Sequence, residues 1–75
     1  MQQWEHKVVS ITARFSFGSG VGATILVGGE ESQSSVSEIV DQLGREGWEL
    51  VAATSANFEI TRYDTLYFKR PLALD

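Results

Sequence analysis

Ser35-Val36-Ser37-Glu38-Ile39-Val40-Asp41-Gln42-Leu43-Gly44-Arg45-Glu46-Gly47, followed at once by Trp48-Glu49-Leu50-Val51, reads as a capped amphipathic helix that releases directly into a strand. Ser35 and Glu38 have the Ser-x-x-Glu spacing in which each side chain satisfies an orphan amide of the first turn. Val36, Ile39, Val40 and Leu43 recur at helical spacing on one stripe, while Glu38, Asp41, Gln42, Arg45 and Glu46 take the other side. Gly47 can adopt the left-handed conformation that ends a helix, and Trp48 just beyond it can fold back over the last apolar turn. Gly44, inside that turn, weakens the helix by roughly 1 kcal/mol relative to Ala. Close approach to a neighbouring element is the expected compensation.

Outward from the helix the pattern changes to strands. Trp4 to Phe15 is rich in β-branched and aromatic residues and is followed by the turn-forming Gly18-Ser19-Gly20. Ala23 to Val27 reads as a short second strand, and Gly28-Gly29 with the polar run Glu30 to Ser34 as a solvated linker into the helix. Trp48 to Thr54 is the third strand, Ser55-Ala56-Asn57 a turn, and a fourth strand lies within Phe58 to Arg70, ended by Pro71, which cannot donate to a ladder. The order β-β-α-β-β predicts an α+β fold, a small antiparallel sheet with one helix packed on one face. Residues 1–75 form a single domain with an inserted Gly-rich β-hairpin at about 16–34.

A chain of 75 residues buries only about 60% of its unfolded surface. With no cysteine, neither disulfides nor thiolate metal sites supplement the core. The N-terminus has no basic region followed by an apolar run, and no stretch approaches the ~20 apolar residues of a membrane span, so a soluble, cytoplasmic protein is expected. The net charge of −4 argues against general nucleic-acid binding, which needs a concentrated basic surface. From Glu30 to Glu49 six acidic residues stand against Arg45 alone, whereas the strands carry Lys7, Arg14, Arg62, Lys69 and Arg70. The helix layer should therefore repel anions that the sheet tolerates.

Strand alternation points toward assembly. Val9, Ile11, Ala13 and Phe15 face one way, with Trp4 and Val8 the other; Trp48, Leu50 and Ala52 oppose Val51 and Ala53. One helix covers one side of a sheet, so the second apolar face would be left in water unless another subunit covers it. A homo-oligomer is expected; the alternative is a monomer whose Gly18 to Gly29 hairpin folds over the open face.

Three blocks, Trp4-Glu5-His6-Lys7-Val8-Val9, Leu43-Gly44-Arg45-Glu46-Gly47-Trp48-Glu49-Leu50-Val51 and Tyr67-Phe68-Lys69-Arg70-Pro71, resemble in order and spacing a family of small bacterial and phage proteins classed as a domain of unknown function. The segment between Ser10 and Ser35 lies outside the pattern. The resemblance implies a compact α+β domain and brings no enzyme activity, cofactor or catalytic residue with it. Its blocks look like determinants of the fold.

The segment Phe17-Gly18-Ser19-Gly20-Val21-Gly22-Ala23-Thr24 has one chemical reading beside that of a flexible hairpin tip. Glycine-rich backbone can bring amides to an anion, with Ser19 and Thr24 adding hydroxyls. Arg14, Arg62 or Arg70 would supply charge and Phe17, Phe58 or Tyr63 a stacking surface. A dinucleotide motif needs its glycines between strand and helix, and here a strand follows. Catalysis is poorly supported: His6 is the one histidine with no partner identifiable from sequence, no ligand spacing suggests a metal, and no serine stands in a recognisable relation to a base. Two readings remain. One is a non-enzymatic homo-oligomeric binding protein that senses or sequesters a small anionic, nucleotide-like ligand at subunit interfaces. The other is a protein-interaction module using the sheet face or an edge strand.

Overall fold

A computed structural model describes residues 2–16 and 20–72, with side chains at 2–14 and 22–72. The elements run β1 (Trp4–Ser16), β2 (Gly20–Val27), β3 (Glu30–Ser32), α1 (Val36–Arg45), β4 (Glu49–Phe58) and β5 (Thr61–Pro71). The strands form a single antiparallel sheet in the order β3-β2-β1-β5-β4. The fold is thus α+β with one helix on one face, but five strands replace the expected four.

The extra strand is β3, in the run expected to be a solvated linker. Gly28 and Gly29 have φ of 60° and 89°, the pair of positive values that a two-residue primed hairpin turn requires. That turn folds Glu30, Glu31 and Ser32 back onto Val27, Leu26 and Ile25. Ser55-Ala56-Asn57, expected to turn, instead continues β4 to Phe58, and the reversal falls at Glu59 and Ile60 between the paired Phe58 and Thr61. Small polar residues suit a turn, but here the ladder to Asp64, Tyr63 and Arg62 satisfies their backbone groups.

Both ends of α1 follow the sequence. Ser35 Oγ accepts from the Glu38 amide at 3.3 Å and the Glu38 carboxylate accepts from the Ser35 amide at 3.4 Å, completing the capping box. At the other end Gly47 has φ of 89°. Trp48 N donates to Leu43 O at 2.9 Å and Gly47 N to Gly44 O at 3.1 Å, the paired bonds of a Schellman ending, which brings Trp48 over Leu43.

The core comprises Val9, Ile39, Leu43, Trp48 and Phe68, with Ile11, Ile25, Val27 and Leu66 packed against it. Val9 and Phe68 come from adjacent central strands, where the register puts Val9 opposite Leu66 and Lys7 opposite Phe68. Val40, expected in the apolar stripe, is 39% exposed. It lies about 100° around the helix from Ile39, at the stripe's border. Gly44 also departs from expectation, since a Cβ there would meet nothing within 4 Å.

Expected strand alternation holds in β1 and breaks in β4. A register shift between Leu50 and Ala52 places Leu50 opposite Phe68, Ala52 opposite Tyr67 and Ala53 opposite Leu66. The extra residue, Val51, is the signature of a β-bulge. Leu50 and Ala53 therefore share the helix-covered face, and Ala52 turns to the open one. The β1–β2 hairpin stays in the plane of the sheet, paired from Val9↔Val27 to Ser16↔Gly20, and does not fold over the open face.

The molecule is elongated, 53 × 21 × 17 Å, with a radius of gyration of 14.6 Å where a compact chain of this length has about 11 Å. Helix and core occupy one end of a long sheet. Trp48→Ala should lower stability by about 3–5 kcal/mol, and Gly44→Ala, placing a methyl in open space, should raise it by up to about 1 kcal/mol. Chemical denaturation reads both, and a near-neutral Trp48→Ala would remove Trp48 from the core.

Candidate functional site

The most heavily connected side chains surround Trp48. Glu5 and Arg70 face each other across β1 and β5, and the Arg70 Nε–H donates to the Glu5 carboxylate in an ion pair. The Arg70 Nη1 donates to Glu46 O at 2.8 Å, satisfying a carbonyl at the helix end that has no partner within the helix. The guanidinium carbon lies 4.2 Å from the Trp48 ring centroid and Lys7 Nζ 4.8 Å from it, both within cation–π range. Trp48 Nε1 is buried without a hydrogen-bond partner. Arg70, expected as part of an anion clamp, is thereby engaged in tying helix exit to sheet.

The other expected site residues fall in three places. Thr12 stands opposite both Thr24 and Tyr63, and Arg14 opposite Gly22 and Thr61. Directly opposed residues share a face, so Arg14, Gly22, Thr24 and Tyr63 come together on the open face at the end far from the helix. Arg62 stands opposite Ala13 on the other face, ion-paired to Asp64 at 3.1 Å. Eight residues of extended chain, roughly 26 Å, separate it from Arg70. The three arginines therefore do not converge within one chain.

Phe17, Gly18 and Ser19 lie outside the described residues. Gly20 and Gly22 are strand residues paired with Ser16 and Arg14. An extended strand points successive amides to opposite sides, so this part of the glycine-rich segment is not an anion-cradling loop. Phe58, at the end of β4, is 67% exposed.

The open face carries Trp4, Val8, Leu26, Tyr63, Tyr67 and Phe58, all classed among the exposed large apolar side chains of the chain. Between them stand two cross-strand rows of hydroxyls, Ser10, Thr65 and Thr54 in one and Thr12 with Thr24 in the next. Its basic groups are His6, Arg14 and Lys69, with Lys69 Nζ 4.2 Å from the Trp4 ring centroid and flanked by Glu49 across the ladder. Among the described residues Arg14 has no ion-pair partner.

The opposite side is acidic. A shallow groove of about 610 Å³ between α1 and β3 has Val27, Ile39 and Leu43 at its base and Glu30, Glu31, Glu38 and Glu46 among its lining, with Lys7 the one basic group. An anion is disfavoured there by Coulomb repulsion. Among the described residues no group of three or more His, Asp or Glu side chains could hold a metal, and no helix is long and apolar enough to cross a membrane.

Compared with family models, curated proteins and solved structures, the chain gives no match. Residues of the three sequence blocks meet in space: Glu5 and Lys7 from the first, Glu46 and Trp48 from the second, Arg70 from the third. Sequence reasoning missed this cluster. The Glu5…Arg70 pair carries no local signal, since 65 residues separate its members.

Arg70→Ala should cost about 1–2 kcal/mol in chemical unfolding, the ion pair being partly screened by water. The Ser55 hydroxyl across the ladder, and to a lesser degree Arg62, hold the Asp64 carboxyl below its ordinary value of 3.8. A depressed folded-state value stabilises above 3.8 and loses that contribution as pH falls through the lower folded value. Asp64→Asn should therefore flatten the part of the acid-unfolding profile below pH 3.8, measured by circular dichroism.

Proposed function

We propose that this chain is a non-enzymatic binding domain that works as a homo-oligomer. Copies pack through the open sheet face, and a small anionic, nucleotide-like molecule is held where two such faces meet. The carrying observation is the surface the chain leaves in water. Its accessible area is 5670 Å², against about 4600 Å² for a compact folded monomer of this size. The excess accompanies an aromatic and aliphatic face with no covering layer among the described residues.

A second copy suits that face because its hydroxyls and rings recur along four strands, β2, β1, β5 and β4. Sheet-on-sheet packing brings such faces about 10 Å apart. The difficulty with self-pairing is charge: Arg14 and Lys69 would approach their own counterparts. Glu49 offsets Lys69. Among the described residues Arg14 has no such partner, and an anion between the faces would neutralise it. Thr12 and Thr24 add hydroxyl donors and Tyr63 a ring that can stack on a base. The ligand would thus act as part of the interface, stoichiometrically bound and not turned over. Acidic side chains around α1 would steer it away from the other side.

Native mass spectrometry of freshly purified protein tests both halves. The expected result is a defined oligomer with additional small-molecule mass. Val8→Glu, in the middle of the open face, should reduce the subunit count while circular dichroism stays folded. Arg14→Ala should lose the additional mass and keep the subunit count. A bare monomer at tens of micromolar overturns the reading.

A further inference from the structure

The two edges of the sheet are built differently. One edge is β3, three residues long and carrying Glu30 and Glu31. Short length and charge are the usual means of preventing a sheet edge from recruiting another strand. The other edge is β4, ten residues long, every one of them exposed. Its sequence, Glu49-Leu50-Val51-Ala52-Ala53-Thr54-Ser55-Ala56-Asn57-Phe58, has no lysine, arginine or proline, and its one charge is at the start. The bulge at Val51 interrupts it near the helix only. From Ala52 onward a row of backbone donors and acceptors points away from β5 with nothing on the far side among the described residues.

We infer that β4 pairs edge to edge with β4 of a second copy, antiparallel about a two-fold axis near Thr54, making one continuous ten-stranded sheet from two five-stranded ones. The occupant follows from the side chains. Ala52-Ala53-Thr54-Ser55-Ala56 is close to a palindrome in size and polarity, so reversal about Thr54 sets Ala52 against Ala56, Ala53 against Ser55 and Thr54 against itself. The face assignments agree as well. Ala52, Thr54 and Ala56 stand opposite Tyr67, Thr65 and Tyr63 on the open face, whereas Ala53 and Ser55 stand opposite Leu66 and Asp64 on the other. Each proposed pair therefore joins residues of the same face, as antiparallel pairing demands. A foreign peptide would need side-chain pockets beside the edge for specificity, and the groove described above lies at the opposite edge, between α1 and β3. The β3 edge is excluded as the partner by its length and its two glutamates.

This pairing is independent of face-to-face packing. It leaves the open faces of two copies side by side on one surface, which doubles the area available to a stacked pair. An assembly using both contacts would be larger than a dimer.

Because the chain has no cysteine, Thr54→Cys offers a clean test. Residues opposed in an antiparallel ladder have Cα atoms about 4.5–5.5 Å apart, within the span of a disulfide. Mild oxidation of the variant should give covalent dimer as the main species, while Ser37→Cys on the exposed face of α1 stays largely monomeric. Ala53→Lys and Ala53→Glu, beside the axis but on the face away from the open one, should each halve the native mass through like-charge repulsion, and mixing the two should restore it. Circular dichroism confirms folding, since Ala53 is exposed and outside the core. Failure of Thr54→Cys to cross-link above the Ser37→Cys level, or an unchanged native mass in both charged variants, overturns the edge pairing. Val8→Glu separates the two contacts: it should leave the Thr54→Cys cross-link intact, so loss of one contact is read without the other.

Discussion

The structure depends on the contact between Trp48 and the pair of cations beside it. Gly47 reverses the chain at the helix end, and the backbone bond from Trp48 to Leu43 sets the indole over the last apolar turn. Arg70 then lies against the ring while joining the Glu5 carboxylate to the Glu46 carbonyl. One side chain thus connects the start of β1, the end of α1 and the end of β5. A helix of ten residues is too short to be stable by itself in water, and this contact, with Ile39 and Leu43 on Val9 and Phe68, is what holds it to the sheet.

That anchoring is confined to one end, and the consequence reaches the rest of the molecule. Four long strands extend well past the helix, and among the described residues none beyond Ile11 and Ile25 in β1 and β2 belongs to the core. A sheet can remain ordered there through its ladders, yet Phe58, Ile60 and Tyr63 stay exposed. Small cores of this kind are commonly completed by association. The charges are segregated by face: carboxylates gather around α1 and β3, the ion pairs of Arg62 and Arg70 lie on the same side as the helix, and the open face keeps His6, Arg14 and Lys69.

The helix and its two ends were legible residue by residue, since capping boxes and glycine endings act over a few positions. The alternation of β1 was legible for the same reason. The fifth strand was within reach, because Gly28-Gly29 followed by a second extended run is a hairpin signal; the acidic run after it read more strongly as linker. The continuation of β4 through Ser55-Ala56-Asn57 was not legible. Those residues favour a turn in isolation, and only pairing with β5 outweighs that preference. Of the residues named for binding, Arg14, Gly22, Thr24 and Tyr63 share one surface, whereas Arg62 is separated from them by face and Arg70 by face and by distance.

The amino-acid sequence by itself determined the α+β class, the limits of the helix, its buried positions at Ile39 and Leu43, and the existence of a second apolar face. All of these follow from local periodicity and local hydrogen-bonding needs. Tertiary structure alone decided that Arg70 meets Glu5, that the bulge at Val51 moves Ala52 to the open face, and that β4 is left as a long unguarded edge. Each of these is a matter of register between distant strands, and register is set by summed pairing along the whole ladder.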